Sequence, residues 1–137
     1  MKLKPMIDKK QWSKKGILNY EVIPTSFSDY NIHIIYCKDL LSARNHPAIV
    51  GVLGNELYES YTVGLCCYDV GINSIFIFIQ DPAYVSVIAH ECFHAARALL
   101  QVMFRLPLSQ ETNELYASTI DRLVANCLKT CNGAILE

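Results

Sequence analysis

Apolar and polar positions fall into blocks along the chain. Ile32–Cys37 is a β-rich run with Ser and Asp before it and a polar break after it, which predicts a first strand. Leu40, Leu41 and Ala43 favour a short helix within 39–52, and Pro47 should interrupt it. Ser60–Tyr68, then DVGIN, then SIFIFI predict two strands joined by a turn containing Gly and Asn. In Ile75, Phe76, Ile77, Phe78 and Ile79 both alternating sets are apolar, so this strand should be covered on both faces or lie close to a helix.

From Asp81 onward the period changes. Asp81 reads as an N-cap and Pro82 as the first helical residue, and no Gly or Pro follows until Pro107. On the predicted helix Val87, His90, Glu91, His94 and Leu99 occupy neighbouring sectors, while Ala95, Ala96 and Ala98 permit close packing. Ser109 or Thr112 can cap a second helix from about Glu111 to Thr130, ended by Asn132 and Gly133. Strands first and two long helices after them make an α+β protein: a small mixed sheet against the His90–His94 helix and a C-terminal helix. The expected layout is a basic leader over 1–18, with Lys9, Lys10, Lys14 and Lys15, and one domain over 19–137.

Composition narrows the class of partner. With 137 residues, 52% of them hydrophobic, the chain is long enough for one domain with a real core. A formal charge of -1 gives no general attraction to nucleic acid or anionic lipid, so any partner is expected to be recognised locally. No run approaches the roughly 18 apolar residues of a membrane span, and the first residues lack a signal peptide's apolar core. A cytosolic chain is therefore expected. The six cysteines (Cys37, Cys66, Cys67, Cys92, Cys127, Cys131) then read as reduced, mostly buried thiols. Cys127 and Cys131, one helical turn apart, lack the second pair that a thiolate metal clip needs, and small apolar fillers are the plainer reading.

His90-Glu91-Cys92-Phe93-His94 is the pattern HExxH. Residues i and i+4 of a helix share a face, so both imidazoles can reach one ion, and Glu91 can sit beside a water and take its proton. Chance placement on an ordinary amphipathic helix is the plain alternative. The mid-helix position, where the geometry works, argues against it. A catalytic zinc (Zn2+) commonly has three protein ligands, and Glu111, Glu114 and Asp121 lie downstream. Glu114 follows His94 by 20 positions, enough for one helix to finish and a second to return, and Ala117 leaves room for a close crossing. Glu111, near the helix start, suits a capping or dipole role.

HECFH followed by Asn113-Glu114 resembles the gluzincin branch of the zincin metallopeptidases, and the run Glu114–Ala117 is similar to small single-domain zincin-like proteins of phage and bacteria. The resemblance covers about Ser74 to Val124. It implies His90, His94 and Glu114 as zinc ligands and Glu91 as the catalytic base. The chemistry it implies is hydrolysis of peptide bonds in a protein or peptide substrate. It also implies a substrate pairing with a sheet edge at Ser74–Gln80, although that apolar strand suits a buried core position equally well. The chain departs from the pattern at Ser118, where an Asp supporting a zinc histidine would stand; Asp121 is the alternative for that role. No histidine follows His94, which excludes a metzincin-type third histidine. Tyr116, Tyr84, His33 and His46 are the candidates for stabilising an oxyanion. Two further readings stay open: a catalytically idle binding module on the same fold, and a zinc hydrolase of a non-peptide bond.

Overall fold

The computed structural model describes residues 7–12, 16–25, 30–53, 63–131 and 135–136. Strands β1 (Ile17–Pro24), β2 (Asn31–Cys37), β3 (Gly64–Asp69) and β4 (Ser74–Gln80) form one four-stranded sheet in the order β1-β2-β4-β3. β2 and β4 are parallel; the outer strands run antiparallel to their neighbours. A parallel pair requires a crossover. Here it includes two short helices, α1 (Leu40–Arg44) and α2 (Pro47–Leu53), and then β3. Pro47 opens α2, where its missing N–H is not needed. The β3–β4 turn holds Asn73 at φ 52°, a left-handed conformation that asparagine tolerates, and the Asp69 carboxylate accepts the Ile72 N–H at 3.3 Å.

Two helices cover one face of the sheet: α3 (Val85–Arg97), extended by a wider turn over Ala98–Met103, and α4 (Asn113–Cys131). Beneath them Ile32, Ile34, Ile75, Ile77 and Ile79 pack on Ile88, Cys92, Ala95, Ala96 and Leu123. On the opposite face Ile35, Phe76 and Phe78 meet Ile7, Tyr20, Leu40, Ala43 and Ile49. Alternate side chains of a strand point to opposite faces, so the doubly apolar β4 is buried on both, as its sequence requires. The α+β architecture is the one the chain's pattern predicts. Among the described residues no helix is long and apolar enough to cross a membrane.

Three local expectations change. Ser74–Gln80 is not an edge strand: it lies between β2 and β3, and the edge beside α3 is β3. Asp81 does not cap the helix, because its carboxylate accepts the Tyr36 hydroxyl from β2, while Ala83–Tyr84 (β5) pairs with Ile135–Leu136 (β6). The helix therefore begins at Val85, behind Tyr84, which makes no side-chain cap. The segment read as a leader is partly packed: Ile7 is buried and Trp12 lies against the Phe76–Phe78 face, while β1 begins at Ile17. Lys14 and Lys15 lie outside the described residues, as do Asn132 and Gly133.

All six cysteines are free thiols, with Cys37, Cys92, Cys127 and Cys131 buried. Burial pushes the thiols of Cys37 and Cys131 up to about 12, so both stay protonated at neutral pH. Cys92 Sγ lies 3.5 Å from Cys127 Sγ and fixes the level at which α3 and α4 cross. At the far end of α4 the Asn19 amide donates to the Thr130 carbonyl at 2.9 Å, closing one of the helix's last open acceptors.

His33 is buried at 2% exposure, stacked on Phe76 with ring centroids 4.6 Å apart, and 2.6 Å from the Tyr20 hydroxyl. Burial lowers its pKa from 6.5 to about 4. Below pH 6.5 the unfolded chain therefore binds a proton that the folded chain refuses, so stability present above 6.5 is lost as pH falls towards 4. The difference amounts to about 3 kcal/mol. Urea denaturation at pH 7 and pH 4.5 should show most of this loss in the unmodified chain and a loss smaller by about 2 kcal/mol in His33→Phe; equal losses would mean that His33 is charged in the fold.

Candidate metal centre

α3 has two unlike faces because its sequence does. Ala95, Ala96 and Cys92 are small enough to bring the helix close onto the sheet, and all three are fully buried. That packing turns His90 and His94 outward, where both are exposed, and leaves Glu91 between the helix and β3 at 6% exposure. The Nε2 atoms of His90 and His94 are 3.1 Å apart, with ring planes at 74°. One ligand atom from each of His90, Glu91 and His94 lies within 4.8 Å of the other two. This is a candidate metal site with HExxH spacing on a helix.

The donors fit a small divalent ion. Two nitrogens at roughly 2.0–2.1 Å from a tetrahedral zinc would be about 3.3 Å apart, close to the separation observed. The same separation suits an N–H···N hydrogen bond with one ring donating, and either contact holds the rings convergent. Burial raises the Glu91 carboxyl above its ordinary value, opposed by the neighbouring His90. Burial also lowers His94, with His90 and Arg97 adding to the effect. A neutral imidazole is the form that binds metal.

Gly64 completes the site from the other side. A Cβ on Gly64 would stand 2.5 Å from Val87 Cγ1, 3.0 Å from Glu91 Cγ and 3.1 Å from Glu91 Oε2. Only a residue without a side chain lets the β3 edge lie against the carboxylate here. On one side of Glu91 is a cleft of about 420 Å³ lined by Val63, Gly64, Ser86 and Val87; on the other is one of about 440 Å³ lined by Leu65, Tyr68, His94 and Arg97. Glu91 lines both. Neither Gly64 nor Arg97 stood out in the sequence, since each acquires its meaning from the pairing of β3 with α3. The signal that was present is modest: a glycine entering a strand marks a close approach.

The other residues considered from sequence lie elsewhere. Glu114 is exposed in the first turn of α4 and is not a member of the converging group. The Cys92–Cys127 contact sets the helix register, and Glu114 stands thirteen positions before Cys127, which is about 20 Å along the axis. Tyr116, two residues on, is buried and donates its hydroxyl to the Leu106 carbonyl at 2.6 Å, so that group is engaged at the distant end of α3. Asp121 is exposed on α4. Glu111 is exposed in the turn before α4, its carboxyl held down by its own backbone N–H and by Ser109, as suits a residue at a helix start. Tyr84 is exposed ahead of α3. His33 lies in the opposite core layer, and His46 is held by Gln11 Oε1 at 2.7 Å and the Ala48 N–H at 3.1 Å. Cys127 and Cys131 belong to the core and not to the metal group.

Comparisons with protein-family models, with curated proteins and with solved structures give no match. The class rests on the molecule's own features: an α+β protein carrying an HExxH-like His/Glu group on a helix beside a sheet edge.

Zinc titration calorimetry should separate the two candidate ligands. His94→Ala should weaken binding by more than the roughly 10- to 100-fold that loss of an outer supporting residue costs. Glu114→Ala should leave the affinity unchanged; a loss as large as that of His94→Ala would place Glu114 at the metal.

Proposed function

We propose that this protein is a zinc-dependent hydrolase of peptide bonds, held together as a site by His90 and His94 with Glu91 as general base. The observation that carries the reading is the buried Glu91 carboxylate, set between two convergent imidazoles and the bare Cα of Gly64. A zinc ion bound by the two histidines would polarise a substrate carbonyl and acidify a water. Glu91 would accept the water's proton on a carboxylate oxygen as the water oxygen bonds to the carbonyl carbon, and would give that proton to the leaving amine nitrogen as the C–N bond breaks. Desolvation raises that carboxylate's pKa, with His90 opposing, which makes it a stronger base than a solvated carboxylate. The clefts on either side give an extended chain room to pass along β3, whose outer edge has no strand partner among the described residues.

A second reading has its own support. Glu91 is the sole carboxylate in the group, and no third histidine joins it among the described residues. A site that keeps Glu91 as a ligand, and so has no free base, would bind a metal or a peptide without turning it over. Glu114 does not enter either reading.

Glu91→Gln discriminates between them. With peptide substrates and zinc-loaded protein, kcat should fall about 10²- to 10⁴-fold while zinc stoichiometry is retained; loss of zinc instead would make Glu91 a ligand and favour the binding module. A companion pair addresses the role of Gly64. Gly64→Ala should lower both the melting temperature and kcat. Adding Val87→Ala removes the closest clash and should restore the melting temperature but not kcat, because the new Cβ still crowds the Glu91 carboxylate. Recovery of both would reduce Gly64 to a packing role.

A further inference from the structure

Resting on the peptidase reading, the geometry points to Arg97 as a specificity-determining residue that binds a carboxylate of the substrate in the cleft beside the metal group. Three observations converge on it. Arg97 follows His90 by seven positions and His94 by three, so it stands on the ligand-bearing side of α3, about one turn beyond His94. It lines the cleft of about 440 Å³ that also contains His94 and Glu91. Its Nε donates to Gln101 Oε1 at 2.9 Å, which orients the guanidinium, and this is its hydrogen bond among the described residues. The terminal nitrogens of an arginine tethered through Nε remain as the paired donors that match a carboxylate.

The surroundings favour an anion there. Leu65, Ala98 and Val102 give the same cleft apolar walls, and Arg97 is the one cationic side chain among its lining residues. Arg97 is exposed at the cleft, so a carboxylate can reach it directly from solvent. The cleft on the other side of Glu91 contains Val63, Gly64, Ser86, Val87 and His90, with no arginine or lysine among the described residues. The two sides of the reacting centre therefore differ in charge. A substrate placed across Glu91 is oriented by an acidic group on the Arg97 side, supplied either by an Asp or Glu side chain near the scissile bond or by the chain's own C-terminal carboxylate.

The test uses zinc-loaded Glu91→Gln, which binds without turnover under the proposed mechanism, and short alanine-based peptides capped at both ends. One set places Glu, and a matched set Gln, at each position in turn; a third peptide is neutral with a free C-terminus. Calorimetry should show the best Glu peptide, or the free C-terminus, binding about 10- to 100-fold more tightly than its neutral partner. Which of the two gains identifies the source of the carboxylate. Adding Arg97→Gln should abolish that gain and leave the neutral peptides unchanged, and Arg97→Glu should transfer the preference to a Lys peptide. Equal binding of acidic and neutral peptides, or an equal loss of both in Arg97→Gln, overturns the role of Arg97, as does failure of every peptide to bind. Hydrolysis of the same peptides by the unmodified protein is read separately, and its absence would count against the peptidase reading while leaving the charge preference measurable.

Discussion

The structure depends on how closely α3 can approach the sheet. Ala95, Ala96 and Cys92 form the inner face of that helix, and the isoleucines of β2 and β4 form the surface it lies on. Larger residues there would lift α3 away from β3, and the Glu91 carboxylate would leave its position against Gly64. The same approach explains why the outward face is free to carry histidines, since the core contact is complete without them.

Around that contact the site has a division of labour. The helix alone makes His90 and His94 converge, because a spacing of four residues is a local property of helical backbone. Making Glu91 a buried carboxylate takes the helix and the strand together. Burial makes its charged form costly, and its place beside the His90 imidazole offsets part of that cost. Gly64 is the point where strand and helix meet at the carboxylate, so a residue with no side chain sets the geometry of one that has chemistry. Pairing between β3 and β4 holds Gly64 in register opposite Ile79.

What the sequence revealed and what it hid follow the range of the interactions. HExxH was legible because its geometry is closed within five residues of one helix. The two-faced burial of Ile75–Ile79 was legible because alternation reports which faces are apolar. The position of that strand within the sheet was not, since it depends on parallel pairing with β2 across the crossover. The helix start was misread because Asp81-Pro82 has a good capping composition, while the Tyr36 hydroxyl, forty-five positions earlier, takes the carboxylate. Glu114 follows His94 by 20 positions, a spacing that does not fix how far apart the two lie. Its distance in space is set by the register of α4 against α3, which the contact of Cys92 with Cys127 fixes and no spacing rule reports.

The central claim is that His90 and His94 together hold one metal ion beside Glu91. X-ray absorption at the zinc edge of the stoichiometrically loaded protein tests this most directly. The account requires two imidazole nitrogens and further oxygen donors, all at about 2.0–2.2 Å, with no sulfur. A shell of sulfur near 2.3 Å, or the signature of fewer than two imidazoles, would place the metal elsewhere in the molecule and contradict it.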